Sequence, residues 1–206
     1  MICGAVPVRR PRDVERALEA PLTCLELRLD YLEAPLSEAW PVLEEAAARR
    51  TVIVTVRRRE EGGHWRGGEE EREALYRKLL DLNPHYVDVE AESPIAPRVA
   101  EVKGRAKLIA SRHDFGGTPP LEVLRSWAEK AAALGDVVKV VTYAREPADG
   151  LRVLSLIGAV EKPVVAFAMG PAGAYTRIAA AALGSPIMYV SLGEATAPGQ
   201  IAADAY

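Results

Sequence analysis

The 206-residue sequence predicts an α/β protein of the (β/α)8 TIM-barrel class, a single compact domain over residues 1–206. Three observations predict it. Eight short apolar runs rich in Val, Ile, Leu or Cys recur along the chain, their starts 21–34 residues apart. Segments with helical spacing lie between them, and regular alternation of strand and helix implies parallel strands joined by right-handed crossovers. Polar residues gather at the C-terminal ends of the runs, where a barrel of this class puts its chemistry. A doubly wound open sheet is the competing architecture. Against it, no Gly-x-Gly-x-x-Gly follows the first run, which meets Pro7 and Arg9-Arg10 instead.

The elements follow in order. Run one, ICGAVP, covers 2–7, and a helical segment covers 13–20. Run two, TCLELRLD at 23–30, puts Glu26, Arg28 and Asp30 on one face by alternation. A helix over 37–49 leads to run three, TVIVTVR at 51–57, which ends on Arg57 and opens into Arg58-Arg59-Glu60-Glu61-Gly62-Gly63. A helix over 69–82 precedes run four, HYVDVE at 85–90, with Asp88 and Glu90 at its end. Run five, AKLIAS at 106–111, leads into Arg112-His113-Asp114-Phe115. The next helix, 121–134, shows one apolar face: Leu121, Leu124, Ala128, Ala131 and Leu134. Thr118-Pro119-Pro120 predicts its cap and first turn, and Gly135 its stop. Run six is DVVKVVT at 136–142, run seven PVVAFAM at 163–169, and run eight PIMYVS at 186–191, which opens onto a loop reaching Gln200.

Composition narrows the function classes. The chain is 49% hydrophobic and 27% charged, with a formal net charge of -3, so nothing points to nucleic acid. No apolar run approaches the roughly 18 residues of a membrane span. The start lacks the layout of a signal peptide, so the expected location is the cytoplasm. Cys3 and Cys24 sit in apolar runs without metal-ligand spacing and are expected to be reduced packing residues. Twenty arginines against six lysines, one asparagine, one glutamine and 15 prolines suit a heat-adapted protein. Gln200 is conspicuous in a sequence so poor in amides.

Lys139 is the residue that asks for a reason. It is the only lysine in the middle of an apolar run, with two valines on either side that would wall it off from water. Desolvation disfavours a charged amine, and a neutral amine is a nucleophile able to form a Schiff base with a ketone or aldehyde. The competing account is a lysine paired with Asp88 or Glu90. Of three histidines, His64 lies in a glycine-rich loop and His85 opens a strand beside Pro84. His113 stands at the reactive rim and is the best available general acid/base. Glu61, followed by the flexible hinge Gly62-Gly63, is a carboxylate able to orient an imidazole. Arg28 and Arg57 at strand ends suit an anionic or polyhydroxy substrate. No Walker-type loop occurs, and no His/Cys/Asp cluster has metal spacing, although a site of Asp and Glu alone would leave no such mark.

Taken together and in order, these motifs resemble type I 3-dehydroquinate dehydratase. The matches are Glu26-Leu27-Arg28-Leu29-Asp30, Thr55-x-Arg57 with Glu61-Gly62-Gly63, Ser111-x-His113-Asp114-Phe115 with Thr118-Pro119, Lys139, Met169-Gly170, Arg177, Gly184-Ser185, and Thr196-Ala197-Pro198-Gly199-Gln200. The resemblance implies a (β/α)8 barrel that dehydrates 3-dehydroquinate to 3-dehydroshikimate in the shikimate pathway without metal or cofactor. It implies that Lys139 forms an imine with the substrate ketone. His113 removes the adjacent proton and later helps expel water, and Glu61 orients His113. Arg177 would hold the substrate carboxylate, while Glu26, Arg28 and Arg57 grip the hydroxyls and carbonyl region. Thr196 and Gln200 belong to a loop that closes over the substrate, and a homodimer is the family's assembly. Arg177 carries no signal of its own and enters through the resemblance alone. The sequence departs from the family at Val140-Val141, where Ile-Ala is common, and at Thr196, where serine is also frequent. It begins at the first barrel strand and ends six residues past Gln200, so the last helix is expected to be short or absent. A class I aldolase would share Lys139 but leave Arg177 and the Thr196–Gln200 loop unexplained, and in a non-catalytic barrel that binds an anionic metabolite Lys139 would be only a charge partner.

Overall fold

The structure, a computed structural model, describes residues 1–193, 198–199 and 201–203. Eight parallel strands carry it: β1 (Ile2–Pro7), β2 (Cys24–Arg28), β3 (Thr51–Thr55), β4 (Tyr86–Glu90), β5 (Lys107–His113), β6 (Val137–Tyr143), β7 (Val164–Met169) and β8 (Met188–Ser191). The helices between them are α1 (Pro11–Glu19), α2 (Leu36–Arg49), α3 (Glu69–Leu79), α4 (Ala96–Val102), α5 (Leu121–Leu134), α6 (Pro147–Leu154) and α7 (Thr176–Ala182). No α-helix follows β8 among the described residues.

Each strand from β1 to β7 pairs with its sequence neighbours, and β8 pairs back onto β1, so the sheet curls into a barrel. Closure is nearly complete rather than full. Among the described residues no ladder joins β7 to β8; a two-residue ninth strand, β9 (Ile201–Ala202), instead pairs in parallel with β8.

Alternation along the strands splits their side chains into two populations. The outward set, including Leu25, Leu27, Val52, Val54, Val87 and Val89, packs with Val14, Leu43, Tyr76 and Val99 of the helices. On the far side Val138, Val140, Ala166 and Ala168 pack with Leu124, Ala128 and Val153. The inward set includes Cys3, Cys24, Ile53, Ile109, Val165, Phe167 and Tyr189. It fills the barrel as a packed core rather than leaving a pore.

Two expectations need correction. Cys3 and Cys24 are not reduced: they form a disulfide, with Cα atoms 4.5 Å apart. The cause is register, since Cys3 lies directly opposite Cys24 on the neighbouring strand and both face inward. Thr118 does not cap α5. Its hydroxyl bonds to Thr142 Oγ1 (2.8 Å) and to the carbonyl of Tyr143 (2.9 Å), tying the loop before α5 to the end of β6. Gly135 does end α5, but in extended backbone (φ -97°). It is glycine because a Cβ there would come within 2.7 Å of the Ala110 Cβ.

Candidate active site

The strand that carries Lys139 positions it by parity. Val138 and Val140 face the helices, so the residue between them faces the barrel interior. The flanking valines are therefore not the walls of the amine. Its surroundings are charged and aromatic: Nζ donates to Asp88 Oδ2 at 2.9 Å and Glu26 Oε1 at 3.4 Å, and lies 4.1 Å from the centre of the Tyr189 ring. Lys139 is 4% exposed, and Asp88 is fully buried. An ammonium at this depth is tolerable because two carboxylates and an aromatic face replace its water.

Asp88 belongs to a row of alternating charges that crosses from helix to barrel. Arg72 on α3 donates to Glu90 Oε2 (2.6 Å), and Arg57 donates to Glu90 Oε1 (3.0 Å). Arg57 also donates to Ser111 Oγ (2.7 Å) and Asp88 Oδ1 (2.8 Å), and Ser111 donates to the same Asp88 oxygen at 2.7 Å. Burial alone would push the Asp88 carboxyl up, but Arg57 and Lys139 outweigh it and hold it well below the usual range. Burial would likewise pull Arg57 down, and Asp88, Glu90 and Glu61 reverse it. Both groups are ionised.

At the mouth, a 3-10 turn over Arg59–Glu61 turns Glu61 inward, where it is 4% exposed. One oxygen accepts from Arg58 Nη2 (2.7 Å). The other accepts the backbone N–H of His113 (2.7 Å) and contacts its Nδ1 (3.1 Å). Burial opposes ionisation of Glu61, but His113, Arg57 and Arg58 lower its pKa to about 2. Burial first, then Arg57, lowers that of His113 to about 4. At neutral pH the pair is a carboxylate beside a neutral imidazole. The carboxylate fixes the proton on Nδ1, which leaves Nε2 with a lone pair. Gly63 is no hinge. A Cβ there would stand 1.9 Å from the Arg57 carbonyl oxygen, so the turn holding Glu61 is packed against the segment holding Arg57.

The described members of the predicted set, Glu26, Arg28, Arg57, Glu61, His113, Lys139 and Arg177, line one narrow cleft of about 50 Å³ with Phe115, Phe167, Met169 and Tyr189. A larger cleft, about 810 Å³, opens at the opposite end, around Asn83, His85 and Arg105, and holds none of them. Arg28 is committed to Asp30 through a two-pronged pair at 2.8 and 2.7 Å. Arg177, in the first turn of α7, lies over the Phe167 ring at 4.4 Å and reaches the Pro198 carbonyl at 3.4 Å. Thr196 and Gln200 lie outside the described residues. His64 is exposed and lies against Tyr31 with the rings tilted, and His85 contacts the Val52 N–H, so neither joins the cleft. Among the described residues no group of three His, Cys, Asp or Glu side chains is placed to hold a metal.

Sequence reading placed Asp88 at a strand end and gave it no role beyond partner in the competing account of Lys139, named Ser111 only within a motif, and missed Arg72 and Tyr189. The Asp88-Val89-Glu90 alternation was signal enough to point two carboxylates inward. Nothing local marks Arg72, which sits in an ordinary helix until α3 lies against the strands.

Comparison with known proteins agrees with this geometry. The chain matches the type I 3-dehydroquinase family over residues 4–205. It is 80% identical over 206 residues to the 3-dehydroquinate dehydratase of Pyrobaculum aerophilum, covering all of this chain and 68% of that protein. It is 44% identical to the enzyme of the same name from Thermococcus gammatolerans, covering 99% and 94% of the two chains. The crystal structure of 3-dehydroquinate dehydratase from Geobacillus kaustophilus superposes with a TM-score of 0.90 at 27% identity, covering 99% of this chain and 87% of that one. A barrel with its one interior lysine beside a neutral histidine thus meets a match along nearly the whole sequence, and the chain belongs to the type I 3-dehydroquinase family.

Proposed function

We propose that the protein dehydrates 3-dehydroquinate to 3-dehydroshikimate through an imine on Lys139. The observation that carries this is the buried Lys139 amine sharing one cleft with neutral His113. The amine, once deprotonated, attacks the substrate ketone, and the carbinolamine loses water to give the imine. His113 Nε2 takes a proton from the carbon beside the imine carbon, and the electron pair left behind flows into the C=N bond. The pair then returns to form the ring double bond as the neighbouring hydroxyl leaves. His113 gives that hydroxyl its proton, so water departs. Hydrolysis of the imine frees the product and the amine.

Donor arithmetic refines the binding roles. Arg57 spends three of its five N–H groups inside the protein and Arg28 spends two, leaving each with donors for a hydroxyl or carbonyl. Glu26 accepts from Thr55 and Lys139 on one oxygen, leaving Oε2 for a substrate hydroxyl. Arg177 takes the carboxylate, and Thr196 and Gln200 cover the ligand. The reading includes a homodimer, supported by exposed Leu151, Ile178 and Leu183 around α6 and α7, which sedimentation can check. It includes a cytoplasmic site; the disulfide fits this because intracellular proteins of hyperthermophiles retain such bonds. The test is borohydride trapping. Protein incubated with 3-dehydroquinate and borohydride gains the mass of a reduced adduct on Lys139, and without borohydride it generates enone absorbance. Absence of both overturns the reading; an adduct only with aldehyde or pyruvate-type compounds transfers it to the aldolases.

A further inference from the structure

We propose that Asp88 is the positioning residue for the reacting nitrogen, holding the imine of Lys139 in its protonated, electron-withdrawing form until the hydroxyl has left. This rests on the imine reading above.

An imine draws an electron pair from the adjacent carbon strongly only when its nitrogen is cationic. The free ammonium of Lys139 has three N–H donors and uses two of them on Asp88 and Glu26. The protonated imine has one, and must aim it. Asp88 Oδ2 is the closer acceptor, at 2.9 Å against 3.4 Å for Glu26. Its side chain cannot swing away. The opposite oxygen is clamped by Arg57 and Ser111, and the residue is fully buried on β4. Tyr189 closes another side, its ring 4.1 Å from the nitrogen, so the positive charge faces a carboxylate and an aromatic face in turn.

The groups around the nitrogen come from six places. β2 supplies Glu26 and Arg28, and the segment after β3 supplies Arg57 and Glu61. β4 supplies Asp88 and Glu90, β5 His113, β8 Tyr189 and α7 Arg177. Arg57 is the cation that shares Asp88 with the nitrogen. Without the Asp88 charge, Arg57 and a cationic imine would face each other across a neutral amide. The imine would then surrender its proton at lower pH, and the electron sink would weaken.

The test compares wild type, Asp88→Asn and Asp88→Glu. In Asp88→Asn the adduct with 3-dehydroquinate still forms under borohydride. The alkaline limb of the kcat profile moves down by roughly one pH unit or more, as expected when an opposite charge within ~4–6 Å is removed. Asp88→Glu restores part of that shift. An Asp88→Asn limb that coincides with wild type overturns the proposal, as does an equal loss of adduct and turnover at every pH. A second measurement needs no variant. The C=N stretch of the wild-type imine, followed by Raman difference spectroscopy, moves to lower frequency in D2O when the nitrogen carries a proton. A band that does not move overturns the proposal even if Asp88→Asn fails to fold. If wild type itself forms no adduct, the imine reading falls instead.

Discussion

At the scale of single residues, the proposed chemistry depends on the Lys139 amine and the neutral His113 imidazole lying in the same cleft. Lys139→Ala is expected to lose the trapped adduct altogether by mass spectrometry. His113→Ala should still be trapped but turn over about 10²–10⁴ times more slowly, the usual share of a general acid/base. The acid limb of kcat/KM should have its midpoint near the His113 pKa of about 4 rather than the ordinary 6.5, because burial and Arg57 disfavour the imidazolium. Glu61 works in the other direction on that histidine. Glu61→Gln should therefore move the limb to still lower pH while kcat falls, as the acceptor fixing Nδ1–H weakens. Sequence exposed Lys139 because a lone charge in an apolar run is conspicuous. It did not expose Tyr189, since an aromatic in a strand reads as core and here is also core.

At the scale of elements, two-residue periodicity made the strands readable, and it also made their inward polar residues readable. Glu26 and Arg28 on β2, and Asp88 and Glu90 on β4, line up as alternation requires. The limits of reading lie in the connections. α4, α6 and α7 are seven, eight and seven residues long, too short to show a clear apolar stripe. The turn at Gly63 looks flexible in sequence because the carbonyl that forbids a side chain there belongs to Arg57, six residues earlier. Gly63→Ala must displace backbone. It is expected to destabilise the fold by about 1–3 kcal/mol by denaturant titration and to impair kcat by shifting Glu61 away from His113.

At the scale of the whole molecule, the barrel was legible from the repeat of strand and helix, whereas its closing seam and its cross-link were not. A disulfide depends on which residues become opposite partners, and the register of β1 on β2 decides that. Reducing Cys3–Cys24 opens a loop with a sequence separation of 21, expected to cost about 3 kcal/mol. That lowers Tm by roughly 6–12 °C for a domain of this size, measured by calorimetry with and without reductant. Acid also weakens the molecule. Glu61 contributes stability above about pH 4.5 that is lost as pH falls toward 2, and His113, buried neutral, resists protonation between 6.5 and 4.

The pairing of Lys139 with Asp88 has a practical outcome for chemical labelling. The protein has six lysines; Lys78, Lys107, Lys130 and Lys162 are exposed and Lys103 is partly so. An amine-reactive reagent meets those five first, while the sixth is sealed in the barrel and engaged by a carboxylate. Graded acylation should consume the outer five with turnover intact, leaving the last amine as the one address at which a ketone-bearing probe reports.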